Sequence, residues 1–282
     1  MKTIAAILFA LVATPASAGD PPTWTQPTAP FRIVANIHYV GTKGLAAYLI
    51  RTRDGAILLD GTMAANVPGI ERNIVRLGVP LKSVKVLLNS HAHFDHAEGL
   101  AALKRDTGAR LAAMDADVAA LQSGTPPSIV NYGIVRFPPV KVDRVLHNGD
   151  MVRLGEVTLT AIRTPGHTPG CTTWTMPVRE GERTLHVVFP CSLTVAGNRL
   201  VGNTGYRTIV ADFCATFAKM AAVKADVVLT AHPEIAQVME RHARAVAGDR
   251  EAFVAPTLLP RIVSDAQAAF DKELLLQQAI AR

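Results

Sequence analysis

The sequence predicts an α/β fold in which two halves, each a sheet with its own helices, pack sheet against sheet. Segments rich in β-branched and aliphatic residues alternate with segments whose apolar residues recur at helical spacing, and this order runs twice along the chain. No short-period repeat or low-complexity tract interrupts it. Because each sheet has to bury an apolar face, stacking the two sheets is the natural packing.

The first half is predicted to contain a strand-rich stretch followed by alternating strands and helices. A turn at Arg53, Asp54 and Gly55 joins two strands into a hairpin, and Gly78 ends the first helix. Residues 19–30 are rich in proline and are predicted to form an extended arm. The predicted strands are residues 31–35, 37–40, 45–50, 56–59, 84–88 and 109–113, and the predicted helices are residues 67–77, 97–104 and 115–121.

The second half repeats this order after a loop at residues 123–141. That loop is long for a compact domain and apolar for an exposed segment, so it is either a lid over a site or an irregular packed segment. Ser264 and Gln267 are predicted to cap the last helix. The predicted strands are residues 157–162, 172–176, 184–189 and 227–230, and the predicted helices are residues 209–223, 234–247 and 264–280.

The amino terminus has the pattern of a secretory signal peptide at residues 1–18. An apolar run leads to the small residues Ala16, Ser17 and Ala18, which predict cleavage after Ala18 and, in a Gram-negative source, export to the periplasm. Residues 19–282 then form a single domain of 264 residues. No later segment is long and apolar enough to span a bilayer, and no cysteine near the cleavage site indicates lipidation, so no membrane anchor is expected.

The charge pattern argues against a nucleic-acid partner. The formal net charge is +6, or +5 once Lys2 is removed with the signal peptide, and the basic residues form no run and no aromatic interleaving. An enzyme with an anionic small-molecule substrate fits this charge, as do many other proteins, and the chain is expected to be a monomer.

The three cysteines, Cys171, Cys191 and Cys214, are an odd number for an oxidising compartment, so they cannot all pair within one chain. Cys214 lies in an apolar helical pattern and is expected to be a small buried side chain. The sequence leaves open whether Cys171 and Cys191 form a disulfide.

The most informative segment is residues 91–96, which carries His91, His93, Asp95 and His96 directly after a predicted strand. Successive side chains of an extended chain point to opposite faces, so His91 and His93 can share one metal while Asp95 and His96 turn toward a second. Imidazole with a single carboxylate suits zinc. A chance cluster of surface or core histidines is the less favoured alternative at this spacing.

Two further histidines follow predicted strands, where ligands from distant parts of the chain can converge. His167 lies in a loop rich in glycine and proline, and His232 precedes Pro233. The other histidines have no ligand partner at suitable spacing and are assigned to ordinary packing; they are His38, His147, His186 and His242.

Together these residues resemble the metallo-β-lactamase superfamily over nearly the whole of the predicted domain. Residues 58–61, 89–96, 166–170 and 231–233 resemble its successive motifs in order. The resemblance implies an αββα sandwich of two mixed sheets with helices outside, and a cleft that holds two zinc ions per chain. The ligands it implies are His91, His93 and His167 for the first zinc, and Asp95, His96 and His232 for the second.

The stretch between His167 and His232 narrows the choice among the enzymes of this superfamily. Lactonases, glyoxalase-type thioesterases and phosphodiesterases of this superfamily generally have a bridging aspartate there, whereas residues 188–194 contain no carboxylate. Cys191 keeps open the first subclass of zinc β-lactamases, which uses a cysteine ligand. His96 together with Ser192 resembles the third subclass, which implies hydrolysis of the β-lactam amide of penicillins, cephalosporins and carbapenems, and an association with antibiotic resistance.

The resemblance also implies roles for individual residues. By this resemblance, two bound zinc ions would supply a hydroxide to attack the β-lactam carbonyl, and Asp95 would orient it. Ser192 and Thr194 hydrogen-bond the substrate carboxylate, and Trp24 lines the cleft; ordinary packing is the alternative for these three. Asp60 is expected to accept a hydrogen bond that orients a ligand histidine, with a turn or capping role as the alternative.

Other functions are compatible with the same residues. One is hydrolysis of a lactone, ester or thioester by another enzyme of this fold, and another is an inactive zinc-binding protein that lacks a substrate cleft. A di-iron oxidoreductase is less favoured, because such enzymes of this fold usually carry a glutamate where His93 stands and are followed by a flavin-binding domain. The sequence does not rank the three classes of β-lactam as substrates.

Overall fold

The computed structural model of the protein describes residues 19–281. It confirms the predicted architecture, since a seven-stranded and a five-stranded sheet pack together with helices outside them. The predicted signal peptide at residues 1–18 lies outside the described residues. Along the described chain, every helix is too short or too polar to cross a membrane.

The larger sheet has its strands in chain order, antiparallel for the first four and parallel from the fourth to the seventh. Helices connect or flank the parallel strands, as a parallel arrangement requires. The strands are β1 (Phe31–Val34), β2 (Ile37–Tyr39), β3 (Tyr48–Thr52), β4 (Gly55–Leu59), β5 (Val84–Leu88), β6 (Arg110–Met114) and β7 (Arg144–Leu146), and the helices are α1 (Val67–Arg76), α2 (Phe94–Ala97), α3 (Leu100–Thr107) and α4 (Asp115–Ser123).

The smaller sheet is antiparallel except for its last strand, which runs parallel to its neighbour at one edge. Three helices complete this half of the chain. The strands are β8 (Met151–Leu154), β9 (Val157–Arg163), β10 (Thr172–Glu180), β11 (Arg183–Phe189) and β12 (Val227–Val228), and the helices are α5 (Ile209–Ala221), α6 (Val238–Val246) and α7 (Leu258–Ile280).

Period-two alternation in the central strands produces the layers. Leu58 and Leu87 belong to the core between the larger sheet and α1 and α3, whereas Leu59 and Leu88 belong to the core between the two sheets. All four are buried. At these positions each strand therefore buries both faces, at about 2 kcal/mol per buried leucine, and the loop that follows its carboxyl end is left to carry functional residues.

The structure corrects several predicted elements. Strands β7 and β8, of three and four residues, were not predicted. Helix α6 begins later than the predicted residue 234. Helix α7 begins at Leu258, so Ser264 lies inside the helix and does not cap it. The helix extends further toward its amino end because Leu259 and Ile262 form an apolar face there. Pro260 is tolerated because it lies in the first turn.

The structure also shows which cysteines are paired. Cys171 and Cys191 form a disulfide with a Cα–Cα distance of 5.7 Å. The expectation that Cys214 is buried is wrong, because it lies on the exposed face of α5, while Phe213 and Phe217 on the same helix face the core.

Candidate metal centre

The central strand β5 delivers the histidine loop, and buried polar groups hold the loop at its start. Asp60 Oδ1 accepts hydrogen bonds from the Ser90 backbone N–H at 2.6 Å and from the Asn89 side-chain amide at 3.2 Å. Trp174 Nε1 donates to the Asn89 carbonyl at 3.2 Å. Asp60 Oδ2 lies 3.9 Å from His96 Nδ1, which is longer than a hydrogen bond, so the direct contacts of Asp60 are with the loop.

The loop changes conformation within the predicted ligand segment. His93 has an extended backbone with φ −104° and ψ 155°, and it directly precedes the one-turn helix α2 that contains Asp95 and His96. The expectation that the whole of residues 91–96 is extended is therefore wrong from Phe94 onward. The helical turn carries Asp95 and His96, and His96 remains close to His91, with ring centroids 4.3 Å apart.

His91, His93 and His167 converge although His167 is more than 70 residues away in the sequence. His167 Nε2 lies 3.1 Å from His91 Nε2 and 3.0 Å from His93 Nδ1. All three side chains are buried, and their candidate ligand atoms lie within 4.8 Å of one another. The loops after β5 and β9 thus bring together three nitrogen donors.

Asp95, His96 and His232 form a second cluster beside the first. Asp95 Oδ2 lies 3.1 Å from His96 Nε2 and 3.2 Å from His232 Nε2, and these two nitrogens are 3.2 Å apart. His232 follows β12, and the Tyr48 hydroxyl donates to the nearby Thr230 carbonyl at 2.7 Å. This cluster supplies two imidazoles and one carboxylate.

Burial and neighbouring charges set the protonation of these groups. Burial lowers the pKa of His91 and His167 well below the usual value and lowers the pKa of His93 to about 4, so these imidazoles are neutral at pH 7. Burial by itself raises the pKa of Asp95, but the adjacent imidazoles outweigh it and hold that pKa well below the usual value. Burial lowers the pKa of His96, but Asp95 outweighs it and raises that pKa overall.

The donor set fits a metal cation. His167 Nδ1 donates to the Thr194 carbonyl at 2.7 Å, so His167 Nε2 carries a lone pair and no proton. That lone pair faces ring nitrogens of His91 and His93 at about 3 Å. A cation between these nitrogens satisfies all three donors, and imidazoles with a single nearby carboxylate are typical zinc ligands.

A cleft of about 700 Å³ lies over both clusters. Trp24 lies in a 3₁₀ turn at Pro22–Trp24, within the arm that was expected to be extended, and its ring centroid is 5.4 Å from that of His232. Tyr132 and Val135 also line the cleft.

The loop at residues 123–141 was predicted to be either a lid over a site or an irregular packed segment. Tyr132 is 50% exposed over the cleft, whereas Phe137 and Val140 are buried in the core beside the larger sheet. Backbone hydrogen bonds tie the cleft part to the chain near Gly197, including Asn131 N–H to Gly197 O at 2.8 Å. One part of the loop therefore lines the cleft, and the other part is packed in the core.

Ser192 and Thr194 lie at the border of a second cavity of about 490 Å³. Their hydroxyl oxygens are 3.0 Å apart. The second cavity shares Thr194, His232 and Ile235 with the metal cleft, so the two spaces adjoin. Cys191, the alternative ligand at this position, is engaged in the disulfide and has no free thiolate to offer.

Some polar groups beside the candidate site were not identified from the sequence. Asp117 accepts hydrogen bonds from both ligand loops, and Glu234 Oε1 lies 3.8 Å from His232 Nδ1. Asp117 is the third residue of α4, so its sequence context indicated only a favourable acid near a helix amino terminus. Among the histidines assigned to packing, His242 stacks on Phe31 with ring centroids 3.7 Å apart.

Comparisons with known proteins agree with this geometry. The family model described as "Metallo-beta-lactamase superfamily" matches residues 43–257. BJP-1, a subclass B3 metallo-beta-lactamase of Bradyrhizobium japonicum, is 43% identical with a TM-score of 0.88, covering 93% of this chain and 99% of that chain. Native FEZ-1 metallo-beta-lactamase from Legionella gormanii is 36% identical with a TM-score of 0.85, covering 90% and 98%.

Curated relatives match over a shorter stretch. The uncharacterized protein YobT of Bacillus subtilis is 30% identical over 130 residues, which is 44% of this chain and 53% of that protein. A hydroxyacylglutathione hydrolase of Cereibacter sphaeroides is 38% identical over 84 residues, 30% of this chain and 26% of that protein. The chain thus spans about half or less of the length of these curated relatives.

Proposed function

The chain belongs to the metallo-β-lactamase superfamily, and from this premise we propose that it is a zinc-dependent hydrolase of the β-lactam amide bond. The observation that carries the proposal is a pair of adjoining donor clusters. One cluster has three imidazoles, and the other has two imidazoles and a carboxylate. They lie on a fold that matches subclass B3 enzymes over more than nine-tenths of the chain. Penicillins, cephalosporins and carbapenems are the proposed substrates.

We assign two zinc ions per chain to these clusters. His91, His93 and His167 hold the first ion, and Asp95, His96 and His232 hold the second. When bound, zinc activates water as a nucleophile at neutral pH and polarises a carbonyl oxygen.

The residues of the chain orient the reactants. Asp95 is held by two imidazoles within 3.2 Å, and it orients the attacking water. The hydroxyls of Ser192 and Thr194 donate hydrogen bonds to the substrate carboxylate, which places the amide carbon over the ligand clusters. Trp24 and Tyr132 form apolar walls of the cleft and exclude water from the substrate side chains.

Hydrolysis of a chromogenic cephalosporin tests the proposal. We expect turnover that a chelator abolishes and that added zinc restores. Lack of turnover of any penicillin, cephalosporin or carbapenem by the zinc-loaded protein would refute it.

The second candidate function is hydrolysis of a thioester, lactone or other ester. The local identity to hydroxyacylglutathione hydrolases favours it, but the absence of a carboxylate at residues 188–194 disfavours it. Parallel assays with a glutathione thioester and a lactone discriminate between the two functions. If the chain binds zinc but hydrolyses none of these substrates, the interpretation as an inactive zinc-binding protein is correct.

A substitution tests the substrate contacts separately from the metal. Ser192→Ala is expected to raise KM for carboxylate-bearing substrates and leave zinc content unchanged, because Ser192 is assigned to the substrate and not to the metal. Loss of zinc from Ser192→Ala would show that Ser192 was assigned wrongly.

Location in the periplasm, after removal of residues 1–18, is also a proposal. The disulfide between Cys171 and Cys191 supports it, because disulfides persist in oxidising compartments. Amino-terminal sequencing of the protein from a periplasmic fraction tests it, with Gly19 expected as the first residue.

A further inference from the structure

Asp117 is a buried carboxylate that none of the roles above uses. It is 1% exposed, and it forms no ion pair with lysine or arginine in the part of the chain that the structure describes. Its two oxygens accept three hydrogen bonds. Oδ2 accepts from the Ala92 backbone N–H at 2.9 Å and from the Thr168 hydroxyl at 2.8 Å, and Oδ1 accepts from the Gly170 backbone N–H at 2.8 Å.

These donors belong to the two loops that carry the first ligand cluster. Ala92 lies between His91 and His93, and Thr168 directly follows His167. One carboxylate therefore links two segments that are more than 70 residues apart in the sequence, each beside a ligand.

We propose that Asp117 is a positioning residue of the metal centre, whose carboxylate joins the loop of His91 and His93 to the loop of His167 and thereby sets the spacing of the three imidazoles. The inference rests on the proposed zinc site and is independent of the substrate.

The chemistry of the contacts requires an acceptor here. All three partners donate a hydrogen bond, and an ionised carboxylate is a side chain that only accepts. Asparagine has nearly the same shape, but its NH₂ group would face an N–H or O–H donor. Burial raises the pKa of Asp117 to about 6, so the carboxylate is ionised at neutral pH in spite of the desolvation cost.

The glycine in the second loop makes the close approach possible. A Cβ atom at Gly170 would lie 2.5 Å from the Asp117 backbone nitrogen and 2.6 Å from the Asp117 Cβ, which are distances that real Cβ atoms do not show. A larger residue would push the loop of His167 away from α4, and the spacing between the imidazoles would change with it.

A pair of substitutions at Thr168 separates positioning from packing. Thr168 is fully buried. Thr168→Val keeps the shape and removes the hydrogen bond to Asp117, whereas Thr168→Ser keeps the hydrogen bond and removes a methyl group. The readouts are Zn²⁺ affinity, measured by competition with a chromophoric chelator, and the visible absorption of the Co²⁺-substituted protein.

We expect Thr168→Val and Asp117→Asn to weaken zinc binding by about tenfold to a hundredfold, as is typical when partners of metal ligands are removed. The Co²⁺ spectrum should change in both variants. Thr168→Ser should bind zinc within about threefold of the unmutated chain. Thr107→Val is the matched control, because Thr107 is a buried threonine whose hydroxyl bonds only to the nearby Leu103 and Ala109 backbone; it should unfold at a lower temperature with unchanged zinc affinity.

Normal zinc affinity in folded Thr168→Val would overturn the inference, as would an equal loss in Thr168→Ser, which would indicate packing. If Asp117→Asn does not fold, the Thr168 pair decides alone. Failure of the unmutated chain to bind zinc would overturn the proposed zinc site and this inference together, whereas failure to hydrolyse β-lactams would affect only the proposed function.

Discussion

Removal of the disulfide should cost the protein a measurable and calculable part of its stability. Cys171 and Cys191 are 20 residues apart in the sequence. In the chain-entropy treatment, a cross-link closing a loop of about 20 residues removes roughly 11 cal/mol/K from the unfolded chain, or about 3 kcal/mol at 25 °C. With an unfolding entropy of about 2.1 cal/mol/K per residue, the loss corresponds to a Tm about 6 °C lower for a domain of this size.

The perturbation is the double substitution Cys171→Ala with Cys191→Ala. The assay is urea denaturation in the presence of a chelator, so that metal binding to the folded state does not contribute to the measured free energy. We expect the unfolding free energy to fall by about 3 kcal/mol, and the unmutated chain with added reductant to become about equally unstable. Reductant should have no further effect on the double variant.

Cys214→Ala is the control for this experiment, because Cys214 is exposed and forms no disulfide in the described structure. Its unfolding free energy should equal that of the unmutated chain. A loss of less than about 1 kcal/mol in the double variant would refute the entropic argument, and an equal loss in Cys214→Ala would refute the assigned pairing.

Three further predictions concern the site. Trp24→Ala should raise KM roughly tenfold with kcat nearly unchanged, because Trp24 contacts substrate space and His232 but supplies no ligand atom. Asp60→Asn should lower the unfolding free energy by about 1–3 kcal/mol in urea denaturation, because the buried Ser90 N–H loses a charged acceptor. The metal-free protein should lose stability as pH falls from 6.5 toward 4, because burial lowers the pKa of His93 to about 4 in the folded state and the unfolded chain binds that proton first.

A specific experimental result would contradict each of these three predictions. A fall in zinc content of Trp24→Ala would place Trp24 in the metal site. Unchanged stability of Asp60→Asn would mean that water replaces the lost acceptor. The dependence of stability on pH between 4 and 6.5 should be shallower in His93→Gln, and an identical dependence would assign it to other groups.

Candidate ligands could be named from the sequence because metal chemistry restricts residue types. Only a few side chains bind zinc, and their dense spacing after a run of apolar residues is uncommon, so His91, His93 and Asp95 could be named as candidates before any fold was known. His167 and His232 were named because glycine and proline mark the loops that follow their strands. Most strands were predictable for a related reason, since the central strands are largely buried and rich in apolar residues.

The errors have physical causes as well. Helix α7 begins before its predicted capping residue because tertiary packing of Leu259 and Ile262 overrides a local capping pattern. Cys214 was expected to be buried, but the direction of its helix face depends on which neighbours Phe213 and Phe217 find in the folded chain. Neither outcome is encoded within a short window of sequence.

The sequence by itself determined which residues can bind metal and where most of the longer strands and helices lie, because both depend on side-chain type and on periodicity along the chain. Only the tertiary structure decided that Asp117 bonds to both ligand loops, that Thr194 sets the tautomer of His167, and that Cys171 pairs with Cys191. Those contacts join residues far apart in the chain, and their distances exist only once the two sheets have packed.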